Sequence, residues 1–374
     1  MKAIEPTILS LLYYSIVSSA WVPTNQSANH RSKFSSRLRS SQVEDVLGGV
    51  STFENWFRSV PGSECIDSIF HDDFGNLRGL AYLTKSEERE EKNVMKIPKS
   101  IVLESDFSQQ DWDVQLSQKL WAECKKGSSS SISGYVELLT KGWTPSSDLT
   151  SIPPNTAPDA LRHWTSEQLQ ILSENPSGQK LLNLMQQQEE IWKRKYSSVA
   201  SDMTYEQFQW AMEVVHSRAF CGEFGMKGGV SSALFMSPLI SGLLGYIYYV
   251  QLHGQNDLIL AGLALIAGIP VIASLLFKDS PVAVLLPLID SANHLEEADS
   301  SIDYSPLDES FGLTIGRNCV VQENGKNQLF ISYGRKKDTE LLLNYGFLGG
   351  VDLSDGDADS RRRKLAETFL SRQN

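Results

Sequence analysis

Four cysteines in 374 residues are few, and they stand far apart: Cys65, Cys124, Cys221 and Cys319. They form no C-x-x-C pair, which argues against a zinc cluster and against a disulfide framework. No long basic block occurs either. The net charge is −11, and no run of Lys and Arg could grip a phosphate backbone, so nucleic-acid binding is disfavoured. An acidic surface suits basic partner segments. There are no internal repeats. Charge itself is absent from two places. No acid occurs between Glu5 and Glu44, and no Lys, Arg, Asp or Glu occurs between Lys227 and Asp257.

The first gap marks the N-terminus as an address rather than a fold. "ILSLLYYSIVSSA" (8–20) is an apolar run ending in small residues, like a signal-peptide core cleaved after Ala20. "WVPTNQSANHRSKFSSRLRSSQ" follows. Its arginines and serines, with no acid, have the composition of a transit peptide. Residues 1–43 are therefore expected to be a signal/transit presequence. It resembles the bipartite presequence of plastid proteins in algae with secondary plastids, with Trp21 where Phe is usual. The expected location is a plastid membrane. The alternative is a secretory-pathway membrane, or a plain secreted chain with a linker.

The second gap holds two uncharged runs, residues 230–250 and 258–277, joined by "QLHGQND". Each is long enough to cross a hydrocarbon core of about 30 Å as a helix. Lys227 and Lys278 flank the outer ends, and Tyr246, Tyr248 and Tyr249 suit an interfacial belt. Residues 228–278 are expected to form a two-helix transmembrane hairpin. The alternatives are a pair of buried helices and a stretch of mistranslated sequence.

The rest changes period along its length. In 49–107, "FENWFRSV" is a small amphipathic helix, and "LRGLAYL" and "NVMKIPKSIVLE" read as strands. Between 108 and 203 the pattern is helical, in "DWDVQLSQKLWAEC", "TSEQLQILSE" and "GQKLLNLMQQQEEIWKRKY". "TYEQFQWAMEVVHS" opens 204–227 with Phe208, Met212 and Val215 on one face. Thr165/Gln168 and Thr204/Gln207 are capping boxes. Strand character returns in 281–350, and 351–374 is a short tail. The fold class is α+β, with sheet-forming parts split by a helical insertion.

Three segments stand in order around the second gap: "HSRAFCGEFG" (216–225), "VLLPLIDSANH" (284–294) and "FISYGRKKDTELLLNYGFLGG" (330–350). In the last, a strand ends at Tyr333-Gly334. Asp338 is expected to cap a helix over "TELLLNY" that stops at Gly346. Taken alone, these tyrosines could be packing residues. The ordered set S-R-A-F, P-L-x-D-x-x-N-H and I-S-Y-G…E-L-L-x-x-Y-G-F resembles the SET-domain protein-lysine methyltransferases, in the branch typified by the Rubisco large-subunit methyltransferase. The resemblance covers roughly residues 50–350. It implies a SET-domain β-fold in which the C-terminal segment threads a pseudoknot and meets the Asn-His segment.

The resemblance also implies roles. The cofactor is S-adenosyl-L-methionine, and the partner is a protein substrate offering a lysine side chain. Asn293 holds the methionine end of the cofactor, the backbone of His294 meets the adenine edge, Arg218 pairs with the carboxylate and Phe347 covers the adenine. Asp290 buttresses the turn. Tyr333 lines the channel where the amine meets the methyl group and is the catalytic candidate, with Ser217 and Tyr345 as secondary ones. Gly79 is what remains of the family's glycine pair, because Leu77 occupies the other place. Asp338 stands where Asn is usual. The family's helical substrate-binding domain would follow the catalytic part, and here only "VDLSDGDADSRRRKLAETFLSRQN" follows, so substrate identity does not carry over. No metal is implied. Three readings stay open: a lysine methyltransferase tethered to a membrane, a non-catalytic membrane-anchored binding protein on the same fold, and a protein-histidine methyltransferase. Read without the resemblance, Asn293-His294 caps a turn, Arg218 makes a surface ion pair and Glu340 is a first-turn helix acid.

Overall fold

The computed structural model describes residues 48–74, 77–83, 92–143, 151–224, 281–305, 308–323, 326–353 and 356–373. Apart from Gly48 these fall in one compact unit, Gly49–Asn374. The presequence expected over 1–43 lies outside the described residues.

Helix α1 (Gly48–Ser59) precedes β1 (Glu64–Cys65), β2 (Ile69–Phe74), β3 (Leu77–Tyr82), β4 (Lys92–Pro98) and β5 (Leu103–Asp106). The expected strand "NVMKIPKSIVLE" is two strands. Pro98 cannot donate to a ladder, and a 3₁₀ turn at Lys99–Ile101 redirects the chain between β4 and β5. The helical excursion contains α2 (Trp112–Lys126), α3 (Ser133–Thr140), α4 (Ser166–Ser173), α5 (Pro176–Tyr196) and α6 (Tyr205–Arg218). Both capping boxes are present, at Thr165 before α4 and at Thr204 before α6. Phe208, Met212 and Val215 are fully buried, as their spacing required. Strands β6 (Phe220–Gly222), β7 (Val282–Leu285), β8 (Asn293–His294), β9 (Ser300–Ser305), β10 (Ser310–Ile315), β11 (Val320–Glu323) and β12 (Lys326–Ile331) complete the β part.

The strands form three small sheets, ordered β1-β4-β10-β9, β11-β12-β3-β2 and β5-β7-β6. The second gains β8, which lies parallel to β12 with Asn293 opposite Phe330 and His294 opposite Ile331. The α+β class and the helical excursion stand as expected.

The transmembrane hairpin does not stand. Among the described residues no helix is long and apolar enough to cross a membrane. The longest, α5, has 21 residues but carries Lys180, Glu189, Glu190, Lys193, Arg194 and Lys195. The runs 230–250 and 258–277 themselves lie outside the described residues. Their flanks are neighbours: β6 and β7 pair antiparallel, with Phe220 opposite Val284 and Gly222 opposite Val282. The chain therefore leaves and re-enters one sheet at adjacent strands.

The Tyr-Gly segment also departs from expectation. Asp338 does not cap the helix. Lys337 occupies that place without a side-chain bond, and α7 (Asp338–Glu340) opens directly into a widened turn, Leu341–Tyr345. There the Gly346 N–H bonds the Leu341 carbonyl five residues back, at 3.0 Å. Asp338 instead accepts from Arg372 at 3.3 Å. Gly346 does stop the turn, at φ 76°. Nothing larger fits there, because a Cβ would lie 2.5 Å from the Ala160 backbone nitrogen.

Apolar side chains gather in two clusters. The larger joins the sheets to α2, α3 and α6. The smaller joins Leu161, Leu181 and Leu342 to Leu365 and Phe369 of the C-terminal helix α8 (Ala358–Gln373). Arg361 and Arg362 of α8 reach Asp159 at 2.8 and 3.2 Å, beside the backbone that crowds Gly346. Phe369 is 1% exposed. Phe369→Ala is expected to lower unfolding free energy by about 3–5 kcal/mol in urea denaturation. A loss below about 1 kcal/mol would show that α8 contributes little to that core.

Candidate functional site

Arg218 ends α6 and Asp290 sits in the 3₁₀ turn Ile289–Ser291, yet the two are bonded. The Arg218 Nη1 donates to Asp290 Oδ2 and to the Asp290 carbonyl, each at 3.1 Å. The same Oδ2 accepts from Tyr135 Oη at 2.6 Å. The Asp290 side chain has no exposure, and its Oδ1 has no hydrogen-bond partner. Burial alone would lower the Arg218 pKa. The Asp290 carboxylate outweighs it and holds the guanidinium above its ordinary value. Burial, followed by the charge of Asp290, pushes the Tyr135 phenol well up, so it stays a donor. Arg218 is thus no surface ion pair. It is anchored at one nitrogen by a buried carboxylate, and its described hydrogen bonds use Nη1 alone.

The turn that carries Asp290 is strained. Leu288, just before it, has φ 76° and ψ −49° although it is not glycine. Such a backbone costs of order 1–3 kcal/mol and persists only where its surroundings over-determine it. Leu288 is buried, and the Asp290 and Ser291 amides bond the Leu286 and Leu288 carbonyls.

From this turn the chain enters β8. Asn293 Nδ2 donates to the Arg78 carbonyl at 3.3 Å, tying β8 to β3. The lack of a side chain at Gly79 makes room for this contact. A Cβ there would lie 2.8 Å from Asn293 Nδ2 and 2.6 Å from Gln328 Nε2. Two side-chain amides therefore face the bare backbone of Gly79. Gln328, buried on β12, is invisible to motif reading because it lies outside the three ordered segments.

On the other side the aromatic residues converge. Tyr333, just beyond β12, stacks on His294 at 4.9 Å between centroids and lies 5.5 Å from Tyr345. Phe220 meets it edge-on at 6.3 Å. Phe347 lies 6.1 Å from His294 and 6.0 Å from Tyr345. The Tyr333 hydroxyl donates to the Ala292 carbonyl at 2.8 Å, which leaves its oxygen lone pairs as acceptors. Burial pushes the Tyr333 phenol up, and Tyr345 likewise, so both stay protonated at neutral pH. His294 Nδ1 accepts from the Tyr333 backbone N–H at 3.0 Å. Burial lowers the imidazole's pKa, in keeping with a neutral ring.

Arg218, Asp290, Asn293, His294, Tyr333, Tyr345, Phe347 and Gly79 are thus brought together from four distant segments. Ser217 is not part of the group. Its hydroxyl donates to the Glu213 carbonyl of its own helix at 2.7 Å. Tyr135 is the main omission of the sequence reading. It lies in α3, an eight-residue helix with no side-chain cap, and nothing local marks it as a partner of Asp290. Glu340 pairs with Lys336 at 2.6 Å, as a first-turn acid facing solvent would.

Two outcomes follow from this geometry. Tyr135→Phe leaves the buried Asp290 carboxylate short of a donor and should cost about 1–3 kcal/mol in urea denaturation. An unchanged midpoint would remove that bond from the account. A histidine whose folded pKa is depressed stabilises fully above its unfolded pKa, about 6.5, and loses that contribution as pH falls through the folded value. The melting temperature should therefore fall from pH 7 to pH 5, and less so in His294→Asn, which keeps an acceptor. Equal falls would exclude His294 as the source.

No protein-family model matches the chain. The ribosomal lysine N-methyltransferase set10 of Schizosaccharomyces pombe is 37% identical over 95 residues, which span 25% of this chain and 16% of that protein. A crystal structure of the SET domain of LSMT, bound to lysine and AdoHcy, superposes with a TM-score of 0.48 at 15% identity, covering 81% of this chain and 58% of that one. Through its ordered motifs and the 95-residue match, the chain is similar to SET-domain lysine methyltransferases.

Proposed function

We propose that this chain transfers a methyl group from S-adenosylmethionine to a lysine side chain of a protein. The observation that carries the reading is the meeting of Arg218, Asp290 and Asn293 with the aromatic group His294, Tyr333, Tyr345 and Phe347 at the β8–β12 junction. The set10 relative, a lysine methyltransferase by name, supports it.

The residues suit the cofactor. Gly79 carries no side chain, so the Asn293 and Gln328 amides close onto the β3 backbone and are held side by side there. Arg218 is fixed at Nη1 by Asp290, and a guanidinium fork suits a carboxylate in shape and charge. Asn293 can both donate to and accept from a zwitterionic amino-acid end. By the same resemblance, the backbone of His294 would meet the adenine edge and Phe347 would cover the ring. When bound, S-adenosylmethionine supplies a methyl group on a sulfonium, activated for in-line displacement.

The chain's own task is alignment and desolvation. A free lysine has a pKa of about 10.4 and must shed its proton to act as a nucleophile. The aromatic walls around Tyr333 favour the neutral amine, since burial disfavours charge. Tyr333 already donates to Ala292, so its oxygen accepts an amine N–H and holds the nitrogen lone pair in line. It stays a phenol throughout.

Calorimetric titration with S-adenosylmethionine is the direct test. Binding is expected, and Asn293→Ala should abolish it; unchanged affinity in that variant would remove Asn293 from the site. Binding with no methyl transfer to any protein would instead favour the non-catalytic binding protein, and methylhistidine in the product would favour histidine transfer. Tyr333→Phe should keep cofactor affinity and lower transfer by about ten- to a hundredfold, the scale of one lost transition-state hydrogen bond. The reverse pattern, with loss only in Tyr345→Phe, would exchange the roles of the two tyrosines. The rate should rise from pH 7 to pH 9 as the amine deprotonates, with no decline from Tyr333.

A further inference from the structure

The widened turn Leu341–Tyr345 carries Tyr345 and leads directly to Phe347. Such turns are rare, because each residue in them gives up the ordinary helical bond. Apolar packing of Leu342 and Leu343 holds this one down. A directional polar chain also reaches it. Asn344, inside the turn, accepts at Oδ1 from Gln188 Nε2 of α5 at 2.9 Å. The Gln188 Oε1 is engaged by Arg162 Nη2. With its oxygen taken, the Gln188 amide presents its nitrogen to Asn344.

Arg162 is itself fixed. Its guanidinium lies 4.0 Å above the Trp192 ring. Its Nε is 3.6 Å from Glu213 Oε1, and both side chains are only 8% exposed. Glu213 also takes His163 Nε2 at 3.0 Å, while His163 Nδ1 faces Asn155 Nδ2 at 3.2 Å. Glu213 belongs to α6, the helix that ends in Arg218. The chain Glu213–Arg162–Gln188–Asn344 therefore links the helix bearing Arg218 to the turn bearing Tyr345.

We infer that Gln188, on the inserted helix α5, is a positioning residue for the Tyr345–Phe347 wall of the cofactor site, acting through Asn344. This rests on the proposed methyltransferase reading. The helical insertion thereby helps to shape the site through one oriented amide, besides adding to the core.

The experiment is calorimetric titration of S-adenosylmethionine into the full chain, with melting temperatures recorded alongside. Gln188→Leu and Asn344→Leu should each weaken binding about tenfold, the size of one lost hydrogen bond. Asn344→Asp keeps an acceptor for Gln188, and Gln188→Glu lets the Asn344 amide turn its nitrogen to the new carboxylate. Both should bind as the natural chain does, a rescue that loss of packing alone would not produce. Should a leucine variant not fold, Gln188→Ala, a truncation at a half-exposed position, carries the same expectation. Equal affinity in Gln188→Leu, or a loss in Asn344→Asp as large as in Asn344→Leu, would overturn the inference. Absence of binding by the natural chain would overturn the functional reading instead, and is distinguishable for that reason.

Discussion

The site depends on one buried charge. The Asp290 carboxylate is fully removed from water, and such a group is tolerable only when paired and hydrogen-bonded. Its two donors come from different parts of the chain: Arg218 from the end of α6 and Tyr135 from α3. Removing either leaves a buried charge under-compensated, which costs more than the net worth of the bond. That asymmetry locks the insertion, the end of α6 and the Asp290 turn into one arrangement. Strain at Leu288 is borne by the same turn.

What the lock positions is the start of β8. Asn293 and His294 follow Asp290 by three and four residues, and β8 pairs with β12 in parallel register. The register brings His294 beside Tyr333, where a backbone N–H to imidazole bond and a ring stack join them. The second cluster supports the opposite wall. Leu342 and Leu343 pack with α8, and Gly346 lets the chain pass against the Asp159–Ala160 backbone with no room for a side chain. Asp159 is in turn held by Arg361 and Arg362. The two Tyr-Gly steps thus have a physical reason. Each places an aromatic ring at the site and then turns the chain through a left-handed residue, Gly334 or Gly346.

Much of the fold was legible. Both capping boxes, the buried face of α6, the strands β3 and β4 in outline and the order of the three motifs are local patterns. Less legible was everything set by distant partners. Asp338 has the chemistry of a cap, but Arg372 of α8 claims it. "TELLLNY" has the composition of a helix, but its turn is widened, and its Asn344 is bonded to Gln188 of the distant α5. The uncharged interval 228–278 read as a membrane hairpin because hydropathy is a local quantity. The structure adds that its flanking strands are neighbours, and among the described residues it offers no helix fit to span a bilayer.

The sequence by itself determined which residue types would be available and in what order: a guanidinium after an amphipathic helix, an amide and an imidazole after a Pro-Leu turn, two tyrosines ahead of glycines. It did so because helix periodicity, capping and turn chemistry act over a few residues. Only the tertiary structure decided which of these groups meet. Arg218 and Asp290 are 72 positions apart, Tyr135 and Asp290 are 155 apart, and Gln188 and Asn344 are 156 apart. Their contacts arise because a buried charge and a half-buried amide must each be satisfied from whatever element the packing brings near.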